Sequence, residues 1–292
     1  MKKIGFIAIT SALLFACGGD ENTEAVVDEN NVEVTDEQII ERAEKAQKVF
    51  QTIPSPYETA MLFEESGIGY NAEILNPVEN VSKYTTSLQQ ALNLGVYGAD
   101  LSYANIHDQS QESMFYMNCS KKMADALGVA GAFTPEAIER IEENMNNRDS
   151  MMAIVSDAFW TCDGYLKENG QDNLSALIIA GGWIEGLYIG TRGLQTDNPN
   201  KDLMQRIAEQ KYSLDNLLDL VGSYDNDEIN SIKASLERLK TSFNKIEVTE
   251  NEATVEEGDT PTIGGGSTLN YTPETINEIA TTIETIRNEI IK

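Results

Sequence analysis

Three residues that can transfer protons fall at helical spacing in one stretch of the chain. Asp100, Tyr103 and His107 recur at intervals of three and four residues, so on an α-helix they occupy one face, with Tyr97 about one turn earlier. An acid, a phenol and an imidazole at this spacing would suit a proton relay or a polar ligand pocket. The simpler interpretation, which we favour, is a hydrogen-bonded core network that holds two helices in register.

A second polar pair lies in a stretch that is otherwise apolar. Glu185 needs a partner if it is buried, because an unpaired buried charge is strongly unfavourable. Arg192 follows two turns later on the same face, with Tyr188 between them, and predicts a Glu185–Arg192 link through Tyr188 or through water. The candidate polar pocket therefore consists of Tyr97, Asp100, Tyr103, His107, Glu185 and Arg192.

Glycine recurs every four residues around Glu185, at Gly182, Gly186 and Gly190. A glycine inside a helix costs roughly 1 kcal/mol relative to alanine, so several at one spacing need a reason. We expect a flat strip where the backbone of another helix comes close. The alternative is a ligand that lies on the bare strip.

Motifs that carry catalysis or bind cofactors are missing from the sequence. His107 is the single histidine, no Ser lies in a GxSxG elbow, and there is no HExxH and no Cys/His metal spacing. The run Gly264–Gly266 is not followed by the GK[ST] of a phosphate loop. Asp157 and Asp163 flank Trp160, but two acids on one helix are ordinary, and we do not predict glycosidase chemistry there. We therefore predict no catalytic residue, no metal site and no cofactor.

The N-terminus has the pattern of a secretory signal that ends at a cysteine. Lys2 and Lys3 precede a short apolar run over 4–15, and Cys17 follows a small residue. This pattern resembles the bacterial lipobox, which implies cleavage of residues 1–16 and lipidation of Cys17. Attached acyl chains would hold the protein at a membrane essentially permanently.

The segment after Cys17 is polar and acidic and lacks aromatic residues, which predicts a flexible tether over 17–35. Residues 17–24 also resemble the surface-export signal of lipoproteins from Bacteroidota-type bacteria. The resemblance implies a lipid-anchored protein of the bacterial cell envelope, at the outer membrane, on its periplasmic or surface face.

The chain is strongly acidic, with a formal net charge of −27. Loss of Lys2 and Lys3 with the signal would leave 19 basic against 48 acidic residues, a charge of −29. Such a chain is not expected to bind nucleic acid, because phosphate contacts need Lys and Arg. The charge favours solubility first and a basic partner second, and we expect another envelope protein as the partner.

Two cysteines would remain after lipidation, Cys119 and Cys162. An oxidising compartment permits a disulfide between them. Both are predicted inside helices, however, where free buried cysteine is also common, and we favour free thiols.

Helical periodicity dominates the chain. For example, Ile276, Ile279, Ile283, Ile286 and Ile290 recur at 3-4-3-4 spacing. Comparable spacing predicts helices over about 36–51, 56–67, 76–93, 97–106, 109–127, 134–145, 149–170, 172–195, 202–221, 225–246 and 272–290. The glycines at 95 and 98 mark a break or a close contact.

The predicted fold is all-α, a multi-helix bundle with little or no strand. The bundle domain spans 36–247, an acidic, Gly-rich loop spans 248–271, and a C-terminal helix over 272–292 packs on the bundle. A small hairpin near 246–271 is the alternative to the loop, with Ile263 and the residues 269–271 pairing with 246–248.

The whole-chain pattern is similar to uncharacterised helical lipoproteins of Bacteroidota-type bacteria. Ile53-Pro54-Ser55-Pro56, the Asn93–Tyr103 stretch and the Gly181–Gly190 stretch carry this resemblance, which implies no activity. We expect a non-enzymatic, lipid-anchored envelope protein that binds or scaffolds. The alternatives are a small-molecule binding module with a pocket lined by 95–107 and 181–193, and a hydrolase that uses His107 or paired carboxylates.

Overall fold

The computed structural model describes most of the chain from Gly69 onward. The described residues are 61, 69–129, 131, 134–144, 147–194, 200–224, 226–256 and 262–292. The predicted signal peptide, the tether, Cys17 and the predicted helix over 36–51 lie outside them. Of the predicted helix over 56–67, Met61 alone is described.

The described part of the chain is a multi-helix bundle with one small hairpin, which confirms the predicted all-α fold. Two short 3₁₀ turns, Ala72–Ile74 and Val78–Ser82, come first. The α-helices that follow are α1 (Ser87–Ile106), α2 (Ser110–Ala126), α3 (Pro135–Asn144), α4 (Arg148–Glu168), α5 (Asp172–Arg192), α6 (Lys201–Val221), α7 (Asp227–Phe243) and α8 (Pro273–Ile290).

Helix α1 begins later and runs further without a break than its sequence pattern predicts. A helix starting at Asn76-Pro77 was expected, but that segment is a 3₁₀ turn. The helix starts after Thr86, which forms a reciprocal capping box with Gln89. It then continues through Gly95 and Gly98 to Ile106, so the glycines mark no break.

Side-chain caps fix several other helix starts, including those of α4 and α8, close to their predicted positions. Thr272 accepts a hydrogen bond from the backbone N–H of Thr275, and Pro273 occupies the first position of α8, as predicted. Helix α4 begins slightly before its predicted start at residue 149, because the Asn147 side chain caps it by accepting from the N–H of Ser150.

The closest helix contact in the bundle joins α1 to α5. A Cβ atom on Gly95 would overlap the carbonyl oxygen of Ile178, and one on Gly181 would overlap the carbonyl oxygen of Leu92. The predicted close backbone approach is therefore confirmed, and Gly95 on α1 lies against the backbone of Gly181 and Gly182 on α5.

Helix α5 is the centre of the bundle and is buried along its whole length from Leu174 to Thr191. It contacts α1, α4, α6 and α8, while α7 packs against α6 and α8. Among the described residues it is the one helix long and apolar enough to span a membrane, and that apolar window is entirely buried inside the protein.

The segment after α7 forms an antiparallel hairpin of β1 (Glu247–Glu256) and β2 (Thr262–Asn270). Glu247 pairs with Asn270 and Val248 with Leu269, as the hairpin alternative predicted. Ile263, however, pairs with Val255, and the register shifts between Asn251 and Thr254. The expectation of a loop over 248–271 is therefore wrong.

Both described cysteines are buried and free, so the predicted alternative of a disulfide is not observed. The Cys119 thiol faces the carbonyl oxygen of Val78 at 3.8 Å, whereas Cys162 lines a cavity together with Ser120, the next residue on α2. Adjacent residues on a helix point in different directions, which keeps the two thiols apart. Burial raises the pKa of Cys119 to about 11 and that of Cys162 to about 12, so both remain protonated thiols.

Candidate functional site: a buried carboxyl–guanidinium cluster

Two carboxyl groups and one guanidinium group meet where α1, α5 and α8 pack together. Asp100 of α1 and Glu185 of α5 are 0% exposed, and Arg287 of α8 is 4% exposed. We call these three residues the carboxyl–guanidinium cluster. Full burial of three ionisable side chains requires that their charges and hydrogen bonds be matched inside the protein.

Arg287 and Glu185 form a bidentate ion pair. The Nε and one terminal nitrogen of Arg287 each lie 2.9 Å from a different carboxylate oxygen of Glu185. The same terminal nitrogen donates to the carbonyl oxygen of Ile74 at 3.0 Å, and the guanidinium lies over the ring of Tyr188 at 4.5 Å. This geometry uses the planar fork of arginine in the way that favours buried pairs.

Asp100 carries the proton of the cluster. Its Oδ2 accepts from the backbone N–H of Asn76 at 3.2 Å, while Oδ1 receives no hydrogen bond from a donor among the described residues. Its carboxyl group instead interacts with that of Glu185. Burial raises the pKa of Asp100 well above its usual range, and the charge of Glu185 raises it further.

The electrostatics of the cluster favour a neutral state, in which one of its two carboxyl groups holds a proton. Burial raises the pKa of Glu185, and Arg287 opposes that shift with its charge and its hydrogen bonds. We assign the negative charge to Glu185, because Glu185 takes both guanidinium bonds, and the proton to Asp100, whose pKa is raised by burial and by the charge of Glu185. One negative charge then faces one positive charge, and the second carboxyl group remains uncharged.

Arg192 pairs with a different acid from the one predicted. Its guanidinium lies 3.1 Å from Glu284 on α8 and 4.9 Å from the centre of the Tyr188 ring. Tyr188 thus contacts the guanidinium groups of Arg192 and Arg287 and does not link Glu185 to Arg192. Glu185, however, is paired with Arg287, and the predicted Glu185–Arg192 link is wrong.

Buried polar side chains hold the C-terminal end of α8. Asn80 and Tyr84 donate to the carbonyl oxygen of Ile291 at 3.3 and 3.2 Å, and Asn93 donates to that of Ile290 at 3.2 Å. The last carbonyl groups of a helix have no partner within the helix, so these contacts satisfy them. They also dock α8 against α1 and the segment before it.

Asn76 connects this helix cap to the carboxyl–guanidinium cluster. Its backbone N–H donates to Asp100, and its side-chain amide donates to Tyr84 at 3.1 Å and to Asn93 at 3.2 Å. Asn80 in turn donates to the Asn76 side chain at 2.9 Å. The polar groups of this region therefore form one continuous internal network.

The remaining predicted pocket residues lie in separate surroundings. Tyr97 donates to the carbonyl oxygen of Pro77 at 3.2 Å. Tyr103 donates to the carbonyl oxygen of Gly69 at 2.9 Å, and its ring packs 4.6 Å from that of His107, where α1 ends. The structure thus brings Asp100 and Glu185 together, and Tyr103 and His107 together.

The acidic patch around Trp160 does not converge either. Asp163 is buried against Ser175 and Lys167, at 2.6 and 2.7 Å, whereas Asp157 is exposed and lies 3.5 Å from Arg140. Trp160 is 50% exposed. This arrangement does not place two carboxyl groups across one substrate.

Arg287 is the site residue that sequence reasoning missed. It lies four residues after Ile283 and one after Ile286, so it interrupts the apolar face of α8 with a charge. An arginine on the buried stripe of an amphipathic helix indicates an internal anion, and this signal was available in the sequence. Asn76 gave no comparable signal, because its role depends on the conformation of an irregular segment.

Comparison of the chain with protein-family models, with curated proteins and with solved structures found no match. The assignment of function therefore rests on the residues themselves. In the part of the chain that the structure describes, no group of three or more His, Cys, Asp or Glu side chains is arranged to hold a metal ion.

A carboxylic acid beside a carboxylate has the chemical form of a general acid–base pair. In this protein the pair has no contact with solvent, and Arg287 occupies both oxygens of Glu185. A substrate would have to reach hydrogen-bond distance of such a pair, and the burial of Asp100 and Glu185 prevents this. The cluster therefore stabilises the junction of α1, α5 and α8.

Proposed function

We propose that this chain is a lipid-anchored protein of the bacterial cell envelope that acts by binding or scaffolding. The observation that carries the proposal is the lipobox-like sequence ending at Cys17, after a charged start and a short apolar run. Such a signal directs a protein to the envelope and fixes it there through acyl chains. The acidic segment that follows supports the outer membrane as the destination.

Burial of the ionisable cluster supports a non-catalytic role. The polar groups with the strongest perturbation of pKa are inside the bundle and are held by internal partners. A protein built in this way acts through its outer surface. That surface includes Phe115 and Trp160, each about half exposed, and aromatic side chains contribute strongly to binding at interfaces.

The expected partner is another envelope protein or a basic surface. The formal charge of −27 supports this choice, since like-charged surfaces repel and complementary surfaces associate faster. Nucleic acid is disfavoured for the same reason.

The anchoring step is tested by blocking lipoprotein processing. Cells that express the chain are treated with globomycin, an inhibitor of the lipoprotein signal peptidase, and a Cys17→Ala variant is expressed in parallel. We expect the treated cells to accumulate an uncut form, and the variant to lose the mature, lipid-anchored form. A Ser11→Ala variant, changed within the signal but away from the cysteine, serves as the control and keeps normal processing. Identical processing and membrane yield in all samples would contradict anchoring through Cys17.

A further inference from the structure

The hairpin that follows α7 has an edge with no strand beside it. In the part of the chain that the structure describes, the sheet consists of β1 and β2 alone. Every second residue of β1 therefore turns its backbone N–H and C=O groups away from β2. A row of such unpaired groups is a template on which an extended segment can add as a third strand.

The bundle covers the β2 side of the hairpin more fully than the β1 side. Val248 and Leu269 are directly opposite each other and so lie on the same face of the hairpin. Leu269 is nevertheless 8% exposed, whereas Val248 is 41% exposed. On β2, the Ser267 hydroxyl also lies 3.0 Å from that of Tyr212 on α6. The accessible edge of the sheet is therefore the β1 edge.

The charge of β1 selects what can occupy this edge. Glutamate occurs at positions 247, 250, 252 and 256, and neither strand contains lysine or arginine. A second copy of this chain would bring the glutamates of two β1 strands side by side, and like charges opposite each other are unfavourable in a sheet. A strand that carries lysine or arginine has the complementary charge.

We propose that β1 binds an extended, basic segment of another protein, which adds to the hairpin as a third strand. The inference rests on the proposed function, since it identifies the surface and the partner chemistry through which this chain binds. Main-chain hydrogen bonds along the open edge supply affinity, and basic side chains opposite Glu247 and Glu250 supply selectivity. An apolar side chain between them covers the exposed Val248.

Three peptides separate strand addition from general attraction to negative charge. The first, acetyl-Thr-Lys-Thr-Val-Lys-Thr-amide, matches β1 in an antiparallel register, with its lysines opposite Glu250 and Glu247 and its valine opposite Val248. The second has the same sequence with methylated backbone nitrogens, which keeps the charge but removes the N–H donors. The third has glutamate in place of lysine.

Each peptide is titrated into the full chain with Cys17→Ala, made in a membrane-free translation extract so that no lipid is attached. The backbone amide NMR signals of residues 248–250 report occupancy of the edge. We expect saturable shifts with the first peptide, slower hydrogen exchange at alternate residues of β1, and at least ten-fold weaker binding of the other two peptides, because each loses either several hydrogen bonds or the charge match.

A charge-reversal variant with a matched control locates the binding site. Glu250→Lys places a like charge opposite the peptide lysine and should weaken binding of the first peptide about three- to ten-fold. Glu139→Lys changes the net charge of the chain by the same amount at an exposed position of α3 and should leave the affinity unchanged.

The outcomes that overturn the proposal are equally specific. Absence of a saturable shift with the first peptide would exclude this edge as a binding surface. Equal binding of the methylated peptide would mean attraction by charge alone, and equal weakening by the two variants would place the peptide elsewhere. Shifts at residues 248–250 that depend on protein concentration without peptide would assign the edge to a second copy of the chain. None of these results affects processing at Cys17, which the globomycin experiment tests separately.

Discussion

At the scale of single residues, the stability of the buried cluster depends on the ionisation of its three side chains, Asp100, Glu185 and Arg287. Glu185 and Arg287 neutralise each other through two bonds of 2.9 Å, and Asp100 stays uncharged beside them. Such a cluster stabilises the fold only while it is complete. Removing one charge leaves the other buried without a partner.

The first prediction concerns Glu185→Gln. The substitution keeps the size of the side chain but removes the bidentate partner of the buried Arg287 guanidinium, so we expect a loss of about 3–5 kcal/mol in the free energy of unfolding. Urea denaturation followed by circular dichroism measures it. Glu284→Gln is the control, because its ion pair with Arg192 is partly exposed and should contribute no more than about 1 kcal/mol. Equal losses in the two variants would contradict the special role of the buried pair.

The second prediction concerns the proton on Asp100. Because the folded state raises the pKa of Asp100 above its unfolded value, the folded protein holds a proton that the unfolded chain releases. The stability that Asp100 contributes is therefore complete below about pH 4, the unfolded pKa, and declines as the pH rises towards the folded pKa. Asp100→Asn mimics the protonated form and removes this decline.

Urea titrations at pH 5, 6 and 7 compare the two proteins. Over this range we expect Asp100→Asn to gain stability relative to the parent by up to about 1.4 kcal/mol per pH unit. If Asp100 were instead ionised in the folded protein, both states would be deprotonated over this range, and the stability difference between variant and parent would not change with pH.

At the scale of elements, the contact between α1 and α5 brings together the helices that carry the two acids. Gly95 and Gly181 allow the backbones of α1 and α5 to come into contact. Side chains within residues 76–93 then bind the C-terminal end of α8 by donating hydrogen bonds to its last carbonyl groups. Positioning of Arg287 beside Glu185 follows from these two contacts. The cluster is thus a consequence of helix packing as much as of charge.

The third prediction compares two glycines in helices. Gly181→Ala places a methyl group on the backbone of Leu92, so we expect a loss of about 3 kcal/mol in the free energy of unfolding, with reduced cooperativity. Gly164→Ala in α4 meets no atom within 4 Å and should instead stabilise the protein by about 0.5–1 kcal/mol through helix propensity. Thermal denaturation of both variants tests the pair. The packing described for α5 would be contradicted if Gly181→Ala did not destabilise the protein while Gly164→Ala did.

Local signals predicted the elements better than their partners. The helix starts predicted at 134 and 272 depend on threonine caps, and the isoleucine spacing of α8 is equally local, so both are readable from the sequence. Glu185 was recognised as a buried acid for the same reason. Its partner is 102 residues away, and the choice of Arg287 over Arg192 depends on how α8 docks, which no local pattern encodes. The start of α1 was missed because the capping box at Thr86 outcompetes the Asn76-Pro77 signal.

At the scale of the whole molecule, the side chains that the structure describes include three buried acids, Asp100, Asp163 and Glu185, and the other acids among them are at least partly exposed. Helix α5 and the carboxyl–guanidinium cluster are buried. The formal charge of −27 is carried mainly by Asp and Glu residues outside this cluster. A lipid on Cys17 would hold this acidic bundle at the envelope without a membrane-binding surface of its own.

Mass spectrometry of the protein purified from its native membrane tests the central proposal most directly. The account predicts a chain that begins at residue 17, with residues 1–16 absent and a diacylglyceryl group on the sulfur of Cys17. An intact Met1, or a Cys17 sulfur without lipid, would contradict it.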